Sequence, residues 1–287
     1  MIDWEKAEKL PPEHRYLNIS ILWIFYYRSV VKILYKLRVP HEVVTIFSIA
    51  CGVVAAILFY DSRYILAAIA LHFKDIFDAC DGSLARLTGR GHLIGRYLDS
   101  VGDFFSLALV IIAIVFSASL SGSDAYMLWG VATILSVFIQ CSFFNYYQLA
   151  YLEIHGVERL LSRRNETTRD DLNGTARSMA EQLLLSFLRF CYLIIYSWQD
   201  RLVAAIDKSM LKRSGASERN WYGDRLLMVP QSALCFGTHI FVIIVFSIVN
   251  KLEYSLIFIS TVMNIFLVSL LLIRRYRFRL KGSRIRI

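Results

Sequence analysis

The sequence has no cysteine pair spaced to act as a clip: Cys51, Cys80, Cys141, Cys191 and Cys235 are scattered, and none forms a CxxC. Most lie in apolar runs, where cysteine behaves as a small hydrophobe, so neither a disulfide framework nor a zinc site is indicated. An internal repeat and a secretory signal are missing too. The opening MIDWEKAEKLPPEHRY alternates acidic and basic residues, and no cleavage motif follows it. Nor is nucleic acid the expected partner. The net charge is +9, but in a chain that is 56% hydrophobic the nearer anion is the cytoplasmic leaflet of a membrane.

That hydrophobic share exceeds the roughly 45–50% of a soluble domain, while 32 Lys+Arg and 23 Asp+Glu remain to be placed. An all-α, polytopic membrane bundle accommodates both, with charge gathered in the loops. Runs long enough to cross, at about 20 residues each, lie near 43–60, 64–84, 98–118, 125–149, 230–249 and 254–273. Ahead of them, residues 17–37 carry Arg28, Lys32 and Lys36 at every fourth position opposite a broad apolar face, the pattern of an interfacial amphipathic helix. The 150–225 insert contains a polar loop at 165–181, then 183–206, which reads as an interfacial or re-entrant helix. The chain ends on a basic tail, 274–287. The connections after the first, third and fifth spans contain only Arg63 and Lys251 as basic residues, so the positive-inside rule places both termini in the cytoplasm. The sequons at Asn18, Asn165 and Asn173 then fall on the cytoplasmic side and carry no weight.

Within this apolar chain, Asp78 to Asp103 stands out: DACDGSLARLTGRGHLIGRYLDSVGD. On a helix, Asp78, Asp81, Gly82, Ala85 and Arg86 share an arc of about 140°. Gly95, Asp99 and Asp103 form a stripe on a second helix, and LTGRGH, with Gly89 and Gly91, suits the turn between them. Two helices can thus present two carboxylates each to one site near the cytoplasmic surface. Carboxylates so close repel unless neutralised, and carboxylates near hydrocarbon are costly enough to mark function. A hard divalent cation, Mg²⁺ or Mn²⁺, is the simplest remedy, since such ions take oxygen ligands and share them with phosphates. Gly82, Ala85 and Gly95 leave room for a ligand to approach the backbone, and the Arg86 fork suits phosphate. Close helix packing would explain the small residues without the aspartates. A divalent-cation or polar-solute transporter is the alternative, but that would spread carboxylates through the membrane depth.

The spacing D-x2-D-G-x2-A-R-x8-G-x3-D-x3-D resembles the CDP-alcohol phosphotransferase (CDP-alcohol phosphatidyltransferase) signature at every specified position. The resemblance implies one membrane domain over 1–287 that transfers a substituted phosphate from a CDP-linked donor to an alcohol acceptor, releasing CMP, in phospholipid biosynthesis. It further implies two divalent ions and a homodimer. Carried over by position, Asp78, Asp81, Asp99 and Asp103 resemble the metal ligands, with Asp103 also the general base. Gly82, Ala85, Arg86 and Gly95 would line the CDP pocket. Arg90 and Arg96, with His92 in the same turn, are the acceptor-binding candidates. The sequence departs from the family at Pro40-His41-Glu42-Val43-Val44-Thr45, where members often have Asn after the proline; Thr45 is left out of the expected site.

Overall fold

The computed structural model describes residues 3–8, 10, 12–89, 93–119, 125–156 and 178–284. Arg90, His92 and the stretch 165–177, with Asn165 and Asn173, lie outside these. The described residues are helical, with no strand among them. Helix α1 (Trp4–Ala7) is followed by α2 (Tyr27–Lys36), α3 (His41–Tyr60), α4 (Tyr64–Thr88), α5 (Leu93–Ser119) and α6 (Ala125–Ile154). After the insert come α7 (Met179–Ser214), α8 (Glu218–Tyr222), α9 (Arg225–Gln231), α10 (Phe236–Ile248), α11 (Glu253–Ile257) and α12 (Met263–Arg284).

Five helices are long and apolar enough to cross a membrane, and the bent pair formed by α9 and α10 makes a sixth. Helix α4 is excluded from that set by its own charges, Lys74, Asp75, Asp78, Asp81 and Arg86. It nevertheless runs back alongside α3, because the Asp61-Ser62-Arg63 turn, with Ser62 at φ 57°, allows no other course. Small residues let α5 close against this hairpin: a Cβ on Gly52 would lie 2.7 Å from Ser106 Cβ, and one on Gly102 would lie 2.3 Å from Ile49 Cδ1. Lipid-directed faces stay apolar, as at Ile46, Phe47 and Ile57 of α3.

Two expectations need correction. The interfacial helix expected over 17–37 is shorter, because Ile19–Ile24 forms a 3₁₀ stretch before α2 begins at Tyr27. Trp23 is drawn inward there, donating to Asp75 Oδ2 at 2.9 Å and stacking on Phe241 at 4.3 Å. The span expected at 230–249 is bent by 48° between α9 and α10.

Helix α7 has 36 residues and begins earlier than the expected loop allows. Ser178 and Glu181 form a reciprocal capping box that starts it. Its length would suffice to cross, but its neighbours place it otherwise. Tyr192 and Tyr196 meet α5 at Tyr97 and Ser100, and Gln199 and Asp207 meet α6 at Ser142 and Tyr147. These positions belong to the aspartate-bearing end of the antiparallel α5–α6 pair, although residues 192–207 extend about 22 Å. Helix α6 ends there, and α10 begins there with Gly237 beside Asp75. One crossing by α7 would deliver α10 to the opposite end. Helix α7 therefore packs against the aspartate-bearing ends of α5 and α6 through residues 192–207.

A buried knot ties it down. Asp207, fully buried, accepts from Tyr147 Oη (2.6 Å), Trp221 Nε1 (2.8 Å) and Tyr222 Oη (2.6 Å). Burial, then the Asp207 and Tyr146 hydrogen bonds, pushes the Tyr222 phenol far above its ordinary value. Arg274 of α12 stacks over Tyr147 at 4.0 Å and donates to the Trp221 carbonyl and, at 3.0 Å, to Gln231 Oε1. Deeper in the bundle, Gln140 donates to Asn264 Oδ1 (2.7 Å), whose amide donates to Ser136 Oγ (2.8 Å), fastening α6 to α12.

Candidate active site

Helix periodicity sets the site. Asp78 on α4 and Asp99 and Asp103, one turn apart on α5, bring one carboxylate oxygen each to within 4.8 Å of one another. Asp81 is placed differently: its Oδ2 accepts from Thr45 Oγ1 of α3 at 2.7 Å, and Thr45 Oγ1 also lies 3.1 Å from the His41 carbonyl. Asp103 Oδ1 is held at 2.5 Å by Lys74 Nζ.

The remaining signature residues surround this cluster. A Cβ on Gly82 would sit 3.3 Å from Arg86 Nη1, so the glycine lets the guanidinium lie over the helix. Arg86 Nε donates to the Ala7 carbonyl at 2.8 Å and its Nη2 to Ser83 Oγ at 3.3 Å. The N-terminal segment thus covers the face assigned to the CDP pocket. Ala85 is half-buried beside it. Gly95 is buried, and its missing Cβ would lie 3.1 Å from His41 Nε2, so the histidine that follows Pro40 reaches the signature glycine. Arg96 has its guanidinium carbon 5.1 Å from the Tyr97 ring centre.

A cavity of about 830 Å³ opens from the aspartates. Its lining includes Asp78, Asp99 and Asp103, with Arg86 and Arg96 above them, and the N-terminal Arg15, Tyr16, Asn18 and Arg28. Glu8 pairs with Arg15 at 2.8 Å and with Arg28, which orders that wall. Asn145 and Gln148 of α6 and Tyr192 and Tyr196 of α7 complete the polar side. Helix α7 therefore contributes to the cavity wall.

The structure brings together five of the expected residues, Asp78, Asp99, Asp103, Arg86 and Arg96, around this space, while Asp81, Gly82, Ala85 and Gly95 stand outside its lining. It adds Lys74, Asp75, Thr45 and His41, which the sequence reading left out. Lys74 had a signal: it precedes Asp78 by one turn and so shares its face. Thr45 had none, because its partner lies on another helix.

The donor set suits a hard cation. All three converging ligands are carboxylate oxygens, and the nearby Cys80 turns its Sγ to the Tyr27 carbonyl at 3.7 Å, away from them. Asp78 and Asp99 would hold such an ion, with Asp103 beside them.

Residues 39–156 match the family model described as CDP-alcohol phosphatidyltransferase. A stretch of 83 residues is 36% identical to an archaetidylinositol phosphate synthase of Pyrococcus horikoshii, covering 29% of this chain and 44% of that protein. The matched stretch thus spans less than half of that relative. No solved structure matches.

Proposed function

We propose, from the premise that this chain belongs through residues 39–156 to the CDP-alcohol phosphatidyltransferase family, that it transfers a substituted phosphate from a CDP-linked donor to an alcohol and releases CMP. The observation that carries this reading is the convergence of Asp78, Asp99 and Asp103 on one point of an 830 Å³ cavity. A Mg²⁺ or Mn²⁺ ion there, and a second one engaging Asp81, would supply the charge that neutralises the donor's diphosphate. The protein's own groups do the rest. Arg86, released from the Ala7 carbonyl and from its place over Gly82, pairs with diphosphate oxygens, which opens the face of Gly82 and Ala85 to the nucleotide, while Gly95 lies against His41. Asp103, which lines the cavity, takes the proton of the acceptor hydroxyl. The new bond joins that oxygen to the phosphorus bearing the substituent, the bond from this phosphorus to the CMP oxygen breaks, and CMP leaves with the electron pair.

Arg96 stands on the acceptor side of this cavity, and Arg90 completes that proposal from sequence alone. The whole chain, 1–287, acts as one unit, since the N-terminal segment, α7 and α10 all line the space beside 39–156. The site and both termini face the cytoplasm, as the basic residues of α2 and α12 at that end suggest. The relative's product names inositol phosphate as one acceptor class to include in a panel. We include the homodimer in this reading; a detergent-corrected mass of two chains checks it.

The test is CMP release by purified protein from a panel of CDP-linked donors and alcohols, with Mg²⁺, Mn²⁺ or EDTA. CMP formed with a cation and an alcohol supports the proposal; no CMP from any pairing sinks it. Aspartates confined to one end of the bundle argue against the transporter alternative, which cation uptake into liposomes would reveal.

A further inference from the structure

Lys74 is 1% exposed, although lysine near a membrane ordinarily extends toward water. Here it points inward. Its stem passes α3 where Gly52 has no side chain: a Cβ there would lie 3.5 Å from Lys74 Cδ. Phe236 of α10 offers its ring face 4.9 Å from the ammonium. Ser48 Oγ donates to the Lys74 carbonyl at 3.1 Å and steadies this turn of α4. Among the described residues, the acceptor the ammonium reaches is Asp103 Oδ1 at 2.5 Å. A charge so enclosed holds one position, because leaving its partner would strand it without water.

Two consequences follow for the aspartates. With Oδ1 held by the ammonium, Asp103 keeps a fixed orientation and does not turn to chelate a cation with both oxygens. A permanent positive charge also stands beside Asp78, Asp99 and Asp103, which opposes a divalent cation drawn to the same three groups.

We propose that Lys74 is a positioning residue of this site. It locks Asp103 for the acceptor hydroxyl and restrains the affinity of the aspartates for a divalent cation, so the ion stays exchangeable. The first half rests on the transfer reading given above; the second does not.

The experiment compares wild type, Lys74→Met and Lys74→Arg in detergent by Mn²⁺ titration under electron paramagnetic resonance, alongside steady-state CMP release. Lys74→Met should lower kcat on the order of 100-fold with KM for the CDP-linked donor within about threefold, the scale of a misplaced general base. The same variant should bind Mn²⁺ on the order of tenfold more tightly, because a nearby like charge is gone. Lys74→Arg should keep the wild-type Mn²⁺ affinity and recover at least about a tenth of the turnover, since it restores charge and donor. A lysine that merely fills space would give the opposite pattern, with Mn²⁺ binding lost as the site loosens. Unchanged or weaker Mn²⁺ binding in folded Lys74→Met, or unchanged turnover, overturns the proposal. If Lys74→Met does not purify as a monodisperse species, Lys74→Arg decides: loss of either property there overturns it. Wild type that releases no CMP defeats the transfer reading alone, and the Mn²⁺ comparison still judges the charge effect.

Discussion

Thr45 Oγ1 lies 2.7 Å from Asp81 Oδ2, and both residues are buried. This pairing links α3 to the signature helix and gives one of the four signature aspartates a neutral donor. The other three converge without it. Asp81 is thereby tied to α3, apart from the three carboxylates that converge.

Replacing Thr45 by Val keeps the shape and removes that donor. A hydrogen bond to a charged group contributes about 1.5–3 kcal/mol, so CMP release should fall on the order of tenfold or more, while Thr45→Ser stays within a few-fold of wild type. Parallel rate measurements on the two variants check this, and equal losses in both would assign Thr45 to packing.

Arg86→Lys retains the charge but loses the planar fork that reaches Ser83 and the Ala7 carbonyl and would grip a diphosphate. KM for the CDP-linked donor should rise on the order of 10-fold or more, with Mn²⁺ affinity unchanged. Donor titration by calorimetry beside Mn²⁺ titration separates the two effects.

Gly52→Ala would press a Cβ to 2.7 Å from Ser106 Cβ, an atom fixed to its backbone. Overpacking of this sort costs about 1–3 kcal/mol. Thermal unfolding in detergent should show a lower midpoint for Gly52→Ala and recovery in Gly52→Ala/Ser106→Gly, which removes the obstructing atom.

Asp207→Ala leaves Tyr147, Trp221 and Tyr222 without their common acceptor and Arg274 with Asp224 as its remaining nearby carboxylate. Breaking a buried network that includes a charge costs about 3–5 kcal/mol. The thermal midpoint should fall further than for Gly52→Ala, and limited proteolysis should cut the α7–α8 connection first. A midpoint equal to wild type would mean the knot does not hold α7.

The sequence is most legible where one physical demand dominates. Hydropathy located the crossing helices because lipid imposes length and apolarity directly. The aspartate spacing was legible because helix geometry converts it into a shared face. Hydropathy was a poorer guide where helices bend or pack against the ends of others: α9 and α10 bend at 48° within one apolar run, and α7 is as apolar as a span yet rests on the ends of α5 and α6. Its position follows from where α6 ends and α10 begins, which no local window contains. The site residues that escaped are those whose meaning lies on another helix. Thr45 is an unremarkable helical threonine until Asp81 faces it. Lys74 and Asp75 look like the end of a span until Asp103 and Trp23 claim them. The Ala7 carbonyl that occupies Arg86 has no side-chain signature at all.

The most direct measurement of the central claim follows a CDP-linked donor labelled in both halves, with and without an alcohol acceptor. CMP and the new phosphodiester should appear one for one, only with alcohol and a divalent cation, and Asp99→Asn should abolish both. CMP released without alcohol, or transfer that persists in EDTA or in Asp99→Asn, would contradict that claim.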